Sequence, residues 1–460
     1  HNQISVDKAG ELQRDICIYH GIGLGPKFDH DTGRAVVLAR LNGNVKGGHS
    51  AIRPELAKMM LTMLNKDIIP VIPQLGSVGA SGDLTPLSYL AAAIQGDREV
   101  YYKGKIVPTM EAFNAEGIKP LPIEAKEGLA IMNGTSVMTA VASLAWKKAE
   151  RLAKISDFLT AVTSEITRGK DTPFVAKVSE IKNHKGQIDS AAYVYNIIKD
   201  SKRVWRYEEF LKNQIEKLDG KKFVAQTNKI QDRYSIRCAP QITGVYRDTL
   251  RFARDLITEE LNSANDNPLV DIDAGRLYNT GNFYGGHICA ACDYLRTALA
   301  NIADLSDKQA EVIIDGKFNG LTENLIPFTP ADHPRAGLRL GFKAAQITIS
   351  AIRGEIMSYC FPISLTSQPT EALNQDKVSM GTISARKLAE QIDLLYLQYG
   401  THMLAAMQAV DLAGYDDFAP FTKKVHDEVR KMSAFVEDDR VLDKEATAVA
   451  EWLKSTDLFA

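Results

Sequence analysis

The residues best placed to do chemistry lie together in GSVGASGDLTPLSYL, residues 76–90. Only Ala80, Ser81 and Gly82 stand between Gly79 and Asp83. A backbone amide can attack a carbonyl two residues back if the chain bends tightly. Glycine at the attacking position has no Cβ in the way and tolerates the dihedrals required. Alanine is the smallest acceptor that keeps a side chain, and the serine between them can lose water to leave an exocyclic methylidene. The product is a ring carrying a strong electrophile, made from the chain itself. Two plainer readings compete. Thr85 and Pro86 read as an N-cap with proline at the first helical position, so a simple turn into a helix accounts for them, though not for Ala-Ser-Gly. A glycine-rich loop before a helix can cradle phosphate, but GSVGASGD lacks the P-loop Lys-Ser/Thr and no GxGxxG follows a strand here.

Other side chains could serve a site. Gln231, Tyr234 and Arg237 recur at steps of three, which puts them roughly on one face if that piece is helical. The arginine fork suits a carboxylate gripped in a bidentate pair, although a surface arginine is the bland alternative. Tyr234 by itself reads as a core tyrosine. Tyr19 and His20 can each hydrogen-bond a polar ring substituent, or simply pack in the core. ELNSANDNPL, residues 260–269, is dense in amides and could be only a capped helix end. Cys289 and Cys292 form one CxxC in an Ala-rich helical stretch, and nothing else supports a redox or metal role for it. No metal ligand set is expected.

The elements that must hold these residues are mostly helical. Proline is absent from residues 174–239, 269–326, 335–361 and 370–419. Apolar residues recur at three- and four-residue steps in long runs such as SVMTAVASLAWKKAERLAKISDFLTAVTSEI from Ser136 and VSMGTISARKLAEQIDLLYLQYGTHMLAAMQAV from Val378. A helix of 30 residues is about 45 Å long, and several of that length bury themselves by packing side by side. One β signal stands out: EVYYKGKIVP from Glu99, a hairpin turning at Lys103-Gly104. The expected fold is therefore all-α: a bundle of long helices with a smaller N-terminal lobe containing minor β structure. The expected segments are residues 1–132 for the lobe that bears the tripeptide, 133–415 for the bundle and 416–460 for a C-terminal helical piece.

With 460 residues, 45% apolar and 24% charged, the chain has an ordinary globular composition. A formal net charge of -2 gives no reason to expect nucleic acid or an anionic membrane as partner. No apolar run is long enough to span a bilayer, and no signal peptide opens the chain. Cys17, Cys238, Cys289, Cys292 and Cys360 are a sparse, odd set that fits a reduced, cytoplasmic protein.

GSVGASGDLTPLSYL resembles the signature of the histidine, phenylalanine and tyrosine ammonia-lyase family, in which Ala-Ser-Gly cyclises to 4-methylideneimidazole-5-one (MIO). Seven more blocks resemble family blocks in family order: KGGHSAIRPEL from Lys46, KEGLAIMNGTS from Lys126, GQIDSAA from Gly186, QDRYSIRCAPQ from Gln231, ELNSANDNPL from Glu260, TGNFYGG from Thr280 and NQDKVSMGTISAR from Asn374. The resemblance implies a homotetramer of long helices whose active sites combine residues from three subunits. It implies that Ala80, Ser81 and Gly82 form the electrophile, with Asn133 beside it. Gln231, Tyr234 and Arg237 would match the family Gln-x-x-Tyr-x-x-Arg set, Arg237 gripping the substrate carboxylate. Phe283, preceded by Asn282, would pack at the ring. The Asn133-Gly-Thr sequon would go unused in a cytoplasmic protein. The implied reaction removes ammonia from an α-amino acid and leaves an α,β-unsaturated acid. The electrophile makes the amine a better leaving group, a base takes the weakly acidic β-hydrogen, and a positive field, which helix N-termini can supply, stabilises developing charge.

Departures from the family pattern bear on substrate. The family base is a tyrosine in a YGxxTGxG-like block; His1-Asn2-Gln3-Ile4 resembles the stretch just after that block, and the expectation is that such a segment precedes His1. The selectivity pair is Tyr19-His20, unlike the Ser-His, His-Leu and Phe-Leu pairs typical of histidine, tyrosine and phenylalanine lyases. Gln375 stands where histidine lyases tend to carry glutamate, which argues against an imidazole substrate. Tyr284 replaces the usual histidine after Asn-Phe, and Lys377 is a further charged departure. The expected substrate is tyrosine, then phenylalanine, then histidine. An aromatic 2,3-aminomutase, which shares every residue named, and a non-catalytic lyase-like scaffold are the alternatives.

Overall fold

The computed structural model describes residues 4–223 and 229–460. The opening His1-Asn2-Gln3, matched above to the stretch after the family tyrosine block, lies outside the described residues. The chain is 63% helical and 6% strand, which places it in the all-α class expected. The long helices are Ser136–Ile166, Ala239–Leu261, Gly286–Ile314 and Gly381–Ala413. The first and last are the two runs singled out by their three- and four-residue apolar spacing.

The chain divides into two compact units. One comprises the residues up to Trp146, Phe252–Tyr294 and Phe361–Ala389; the other comprises Lys147–Arg251, Leu295–Cys360 and Glu390–Ala460. The units are interleaved along the chain, whereas the sequence reading divides it into consecutive segments. Changes in composition mark loops, whereas four of these five divisions fall inside uninterrupted helices and the fifth, after Cys360, in a turn.

Within the second unit, side chains tie the helices together pairwise. Tyr246 and Tyr396 donate their hydroxyls to the carbonyls of Ala149 and Lys148, each at 2.8 Å. Gln398 donates to the Ala303 carbonyl at 2.7 Å and Gln309 to Thr160 Oγ1 at 2.8 Å. Those donors are satisfied while the side-chain bodies fill the interior, although Gln398 Oε1 has no partner among the described residues. His402 lies fully buried there, with Nδ1 2.9 Å from Ser306 Oγ.

The first unit carries the small β elements. Glu99–Tyr102 and Lys105–Pro108 form the expected hairpin, with Glu99 opposite Pro108 and Tyr102 opposite Lys105. Lys103 and Gly104 both have positive φ, +50° and +76°, as a two-residue turn matching strand twist requires. Ile69–Pro70 adds a third strand. The helix Leu84–Ile94 follows the tripeptide directly, buried from Pro86 to Ile94.

Candidate active site

The tripeptide sits in a loop held by other segments as well as by Ser77 within it, whose Oγ accepts from Gly79 N–H at 3.2 Å. Ser81 has φ +50°, between Gly79 at +75° and Gly82 at +78°. A non-glycine residue in that region is uncommon and is kept there by its surroundings. Gly82 forms a parallel bridge with Gly134, and Asp83 N–H donates to the Gly134 carbonyl at 2.8 Å. A Cβ on Gly82 would lie 2.2 Å from the Gly134 oxygen, and one on Gly79 would lie 2.2 Å from Ser379 Oγ. The Val78 carbonyl accepts from Met380 N–H at 2.9 Å, which fastens the other side of the loop. Ala80 and Val78 pack against Cys289, Val378 and Met380. Cys289 and Cys292 are buried on the helix Gly286–Ile314.

Asp83 is the anchor of this arrangement. It is fully buried, and its Oδ2 accepts from the backbone N–H groups of Val137 and Met138 at 2.9 and 2.8 Å. Those are orphan donors at the start of the helix Ser136–Ile166, so the carboxylate caps a helix 54 residues away in sequence. Its Oδ1 accepts from Ser77 Oγ at 3.0 Å and from Thr382 Oγ1. Burial pushes the carboxyl above its ordinary range, and the bonds from Thr382, Met138, Ser77 and Val137 pull it back. The positive end of that helix is thus directed at Asp83. The Thr85 cap expected from sequence is corrected: Asp83 occupies the cap position of Leu84–Ile94, and Thr85 and Pro86 lie inside the first turn. Proline is tolerated there because the first helical N–H groups have no intrahelical partner.

Asn133 is 3% exposed and directly precedes Gly134, which brings it beside Gly82; its Nδ2 donates to the Asn267 carbonyl at 2.8 Å. The Asn133-Gly-Thr sequon is therefore buried. Behind Gly134 lies Arg40, fully buried, donating to Asn44 Oδ1 at 3.1 Å and Asn265 Oδ1 at 3.0 Å. Burial lowers its affinity for a proton, while Asp266 and Asp83 oppose that shift. Lys126 pairs with buried Asp266 at 2.5 Å. Sequence reasoning missed Asp83 and Arg40 as elements of the site. Asp83 stands inside the quoted signature, and a carboxylate at the start of a helix was the available signal; nothing local marks Arg40.

A cavity of about 170 Å³ opens against this loop, lined by His20, Ala80, Gly82, Thr370 and Gln375 among others. His20 Nδ1 lies 2.9 Å from the Ile16 carbonyl, which can only accept, so Nδ1 carries hydrogen and Nε2 of the neutral ring is an acceptor. Gln375 Nε2 donates to Ser81 Oγ at 3.3 Å, and Gln375 Oε1 accepts from Thr370 Oγ1 at 2.7 Å. Tyr19 does not line the cavity; it is 66% exposed and stacks on His20 with ring centroids 4.0 Å apart. Phe283 is half-buried and lies outside that lining. Its neighbours Asn282 and Tyr284 line a separate cavity of about 610 Å³ with Glu260 and His287. Glu260 accepts from Thr135 Oγ1 at 2.5 Å, and burial raises its carboxyl above the ordinary value. Lys377 is exposed.

Gln231, Tyr234 and Arg237 belong to the second unit. Only Tyr234–Arg237 is helical; Arg233 is extended at its cap, and Gln231 precedes it in a bend. The expectation of one helical face for all three is corrected by that interruption. Gln231 and Arg237 still meet at one cavity of about 360 Å³, with Lys170 and Asp232 also in its wall. The Arg237 guanidinium lies over the Tyr234 ring at 4.6 Å, and its buried Nε has no protein partner among the described residues. Tyr234 is 69% exposed. Among the described residues, no group of three or more His, Cys, Asp and Glu side chains is placed to hold a metal ion.

The profile of the aromatic amino acid lyase family matches residues 1–431. A histidine ammonia-lyase of Geobacillus sp. (strain WCH70) is 36% identical over 454 residues, covering 99% of this chain and 84% of that protein. Among solved structures, tyrosine aminomutase from Streptomyces globisporus superimposes with TM-score 0.92 at 36% identity, covering 98% of this chain and 84% of that one. Phenylalanine aminomutase from Pantoea agglomerans does so with TM-score 0.93 at 32% identity, covering 99% and 87%. The chain belongs to the aromatic amino acid lyase family and is a carbon–nitrogen lyase.

Proposed function

We propose that this protein eliminates ammonia from an aromatic L-amino acid, tyrosine before phenylalanine, to give the trans-α,β-unsaturated acid. The observation that carries the reading is the Ala80-Ser81-Gly82 loop, pinned with positive φ at Ser81 and Gly82 and with no room for a Cβ at Gly82. That cradle suits MIO formed from these three residues. MIO would supply an electrophile that turns the substrate amine into a good leaving group. The chain's own residues do the rest. Arg237 offers a permanently charged fork, with Nε still unpartnered, for the substrate carboxylate. Tyr234 and Asn133 supply polar groups for the reacting end, and Phe283 an aromatic wall. Gln231 lines the same cavity as Arg237. At the ring end of the substrate, His20 Nε2 accepts and the Gln375 amide donates, which matches a phenol hydroxyl that does both.

The active form we infer is a homotetramer with sites shared between subunits. The ring pair of Phe252 and Tyr294, 5.8 Å apart and 45% and 58% exposed, supports a covering partner. The sparse, odd set of five cysteines supports a cytoplasmic location, and among the described residues no helix is long and apolar enough to cross a membrane. The name of the Geobacillus relative favours a second reading, conversion of histidine to urocanate; those of the structural neighbours favour a 2,3-aminomutase.

Intact mass of the purified protein is the first test. A mass below that of its sequence by two waters is expected, and an uncyclised mass would sink the electrophile. Incubation with tyrosine, phenylalanine and histidine then separates the readings: unsaturated acid and ammonia for a lyase, a β-amino acid for a mutase.

A further inference from the structure

We infer that Arg40 is a positioning residue for closure of the ring, acting through two asparagines on the backbone that faces Gly82; this rests on the MIO reading above. Arg40 projects from the helix His30–Val45 and is fully buried. Its Nε donates to Asn44 Oδ1 at 3.1 Å and its Nη1 to Asn265 Oδ1 at 3.0 Å. A guanidinium can only donate, so each bond fixes which end of the asparagine amide faces it. Asn44 then turns its Nδ2 to the Ala130 carbonyl at 2.6 Å, and Asn265 Oδ1 also accepts from Thr135 N–H at 3.3 Å. Residues 130–135 are thus held at both ends, and Gly134 lies within that span. A Cβ on Gly134 would lie 1.8 Å from Arg40 Nη1, so the guanidinium fills the space behind it.

The span matters because of what the ring requires. The Gly82 nitrogen must bond to the Ala80 carbonyl carbon. The Ala80 oxygen leaves as water with the protons of the Gly82 and Ser81 amides. A second water carries off the Ser81 hydroxyl with the α-hydrogen, so no oxidant or reductant takes part. Gly134 closes the far side of Gly82. Its carbonyl accepts from Asp83 N–H, which leaves the attacking Gly82 N–H without a partner among the described residues. If Gly134 recedes, Gly82 is free to follow it away from Ala80, and a misplacement of about 1 Å can cost about 100-fold in rate. Stability alone is a poor reason for arginine here. A buried guanidinium whose Nη2 is unpartnered among the described residues adds little of it.

The test follows ring closure, so that it does not depend on turnover. Full-length wild type, Arg40→Met, Asn265→Ala and Arg203→Met are made by cell-free synthesis. Intact mass at intervals gives the rate at which two waters are lost, with melting temperatures recorded alongside. Arg203, a buried arginine of the other unit that donates to the carbonyls of Glu165 and Ala413, measures the effect of destabilisation alone. Arg40→Met is expected to close about 100-fold more slowly than wild type and Asn265→Ala about tenfold more slowly, with Arg203→Met at the wild-type rate despite a lower melting temperature. Should Arg40→Met fail to fold, Asn265→Ala decides. Closure at the wild-type rate in Asn265→Ala or in folded Arg40→Met, or an equal slowing in Arg203→Met, would overturn the assignment while leaving the MIO reading intact. Wild type that keeps its full mass brings down the MIO reading and this inference with it.

Discussion

In the unit that contains Lys147–Arg251, residues with positive φ such as Asn183, Gly320 and Gly414 sit at or just beyond helix ends, where a chain must turn. In the unit that holds the tripeptide, left-handed residues also collect around the cavity: Gly79, Ser81 and Gly82 on one side, Glu371 to Leu373 on another, and Met380 beside them. The buried polar groups differ in the same way. Tyr246, Tyr396 and Gln398 tie helix to helix. Asp83 instead ties the tripeptide loop to the first turn of the helix Ser136–Ile166, and Arg40 reaches the Asn265 side chain in the loop beyond Leu261. A helix satisfies its own N–H and C=O groups, so its side chains are free to pack. A loop that must present its backbone has to borrow partners from elsewhere. The tripeptide loop is thus a region whose shape depends on single side chains.

The largest effect expected is from Ser81→Ala, which removes the hydroxyl that must leave as water. Ammonia release should fall by about 10³-fold or more with the melting temperature nearly unchanged; retained turnover would end the electrophile reading. Next comes Asp83→Ala, which orphans the Val137 and Met138 N–H groups together with the Ser77 and Thr382 hydroxyls. Breaking a buried charged network in this way should cost about 3–5 kcal/mol in denaturant unfolding. A cost below about 1 kcal/mol would mean that the loop does not depend on its anchor.

The contrast sharpens with pH in the helical unit. Burial pushes His402 down to about 3, from 6.5. A group kept neutral in the fold contributes stability that is fully present above about pH 6.5. That stability is lost as pH falls toward 3, by at most about 1.4 kcal/mol per pH unit. His402→Gln should flatten the melting profile across that window while changing little of its slope at pH 8. An unchanged acid slope would mean that another group carries it.

What could be read from sequence follows how local the cause is. The helices from Ser136 and Gly381 were legible because their apolar spacing is their reason for folding, and the hairpin because Lys103-Gly104 tolerates the turn it needs. The tripeptide could be singled out because a cyclisation there would involve only three neighbours, and the family resemblance pointed to the same residues. The helix start at Asp83 was misread because Thr85-Pro86 carries the stronger local signal, while the actual geometry comes from contacts more than 50 residues away. Arg40 was not legible at all: one of its partners, Asn265, is 225 residues distant. The Gln231 spacing suggested a helical face, and the bend before Tyr234 interrupts it, yet its side chain still reaches the cavity that Arg237 lines.

The bridge between Gly82 and Gly134 has a consequence for how this protein could change by mutation. A Cβ on Gly82 would meet the Gly134 oxygen at 2.2 Å, and one on Gly134 would meet Arg40 Nη1 at 1.8 Å and the Asn265 carbonyl at 2.4 Å. Neither position can relieve the other, because the obstacle to Gly82 is backbone and the obstacles to Gly134 lie on its far side. In a saturation library, both positions would be depleted of every replacement. Gly134, which contributes no side chain to any reaction, would score like a catalytic residue.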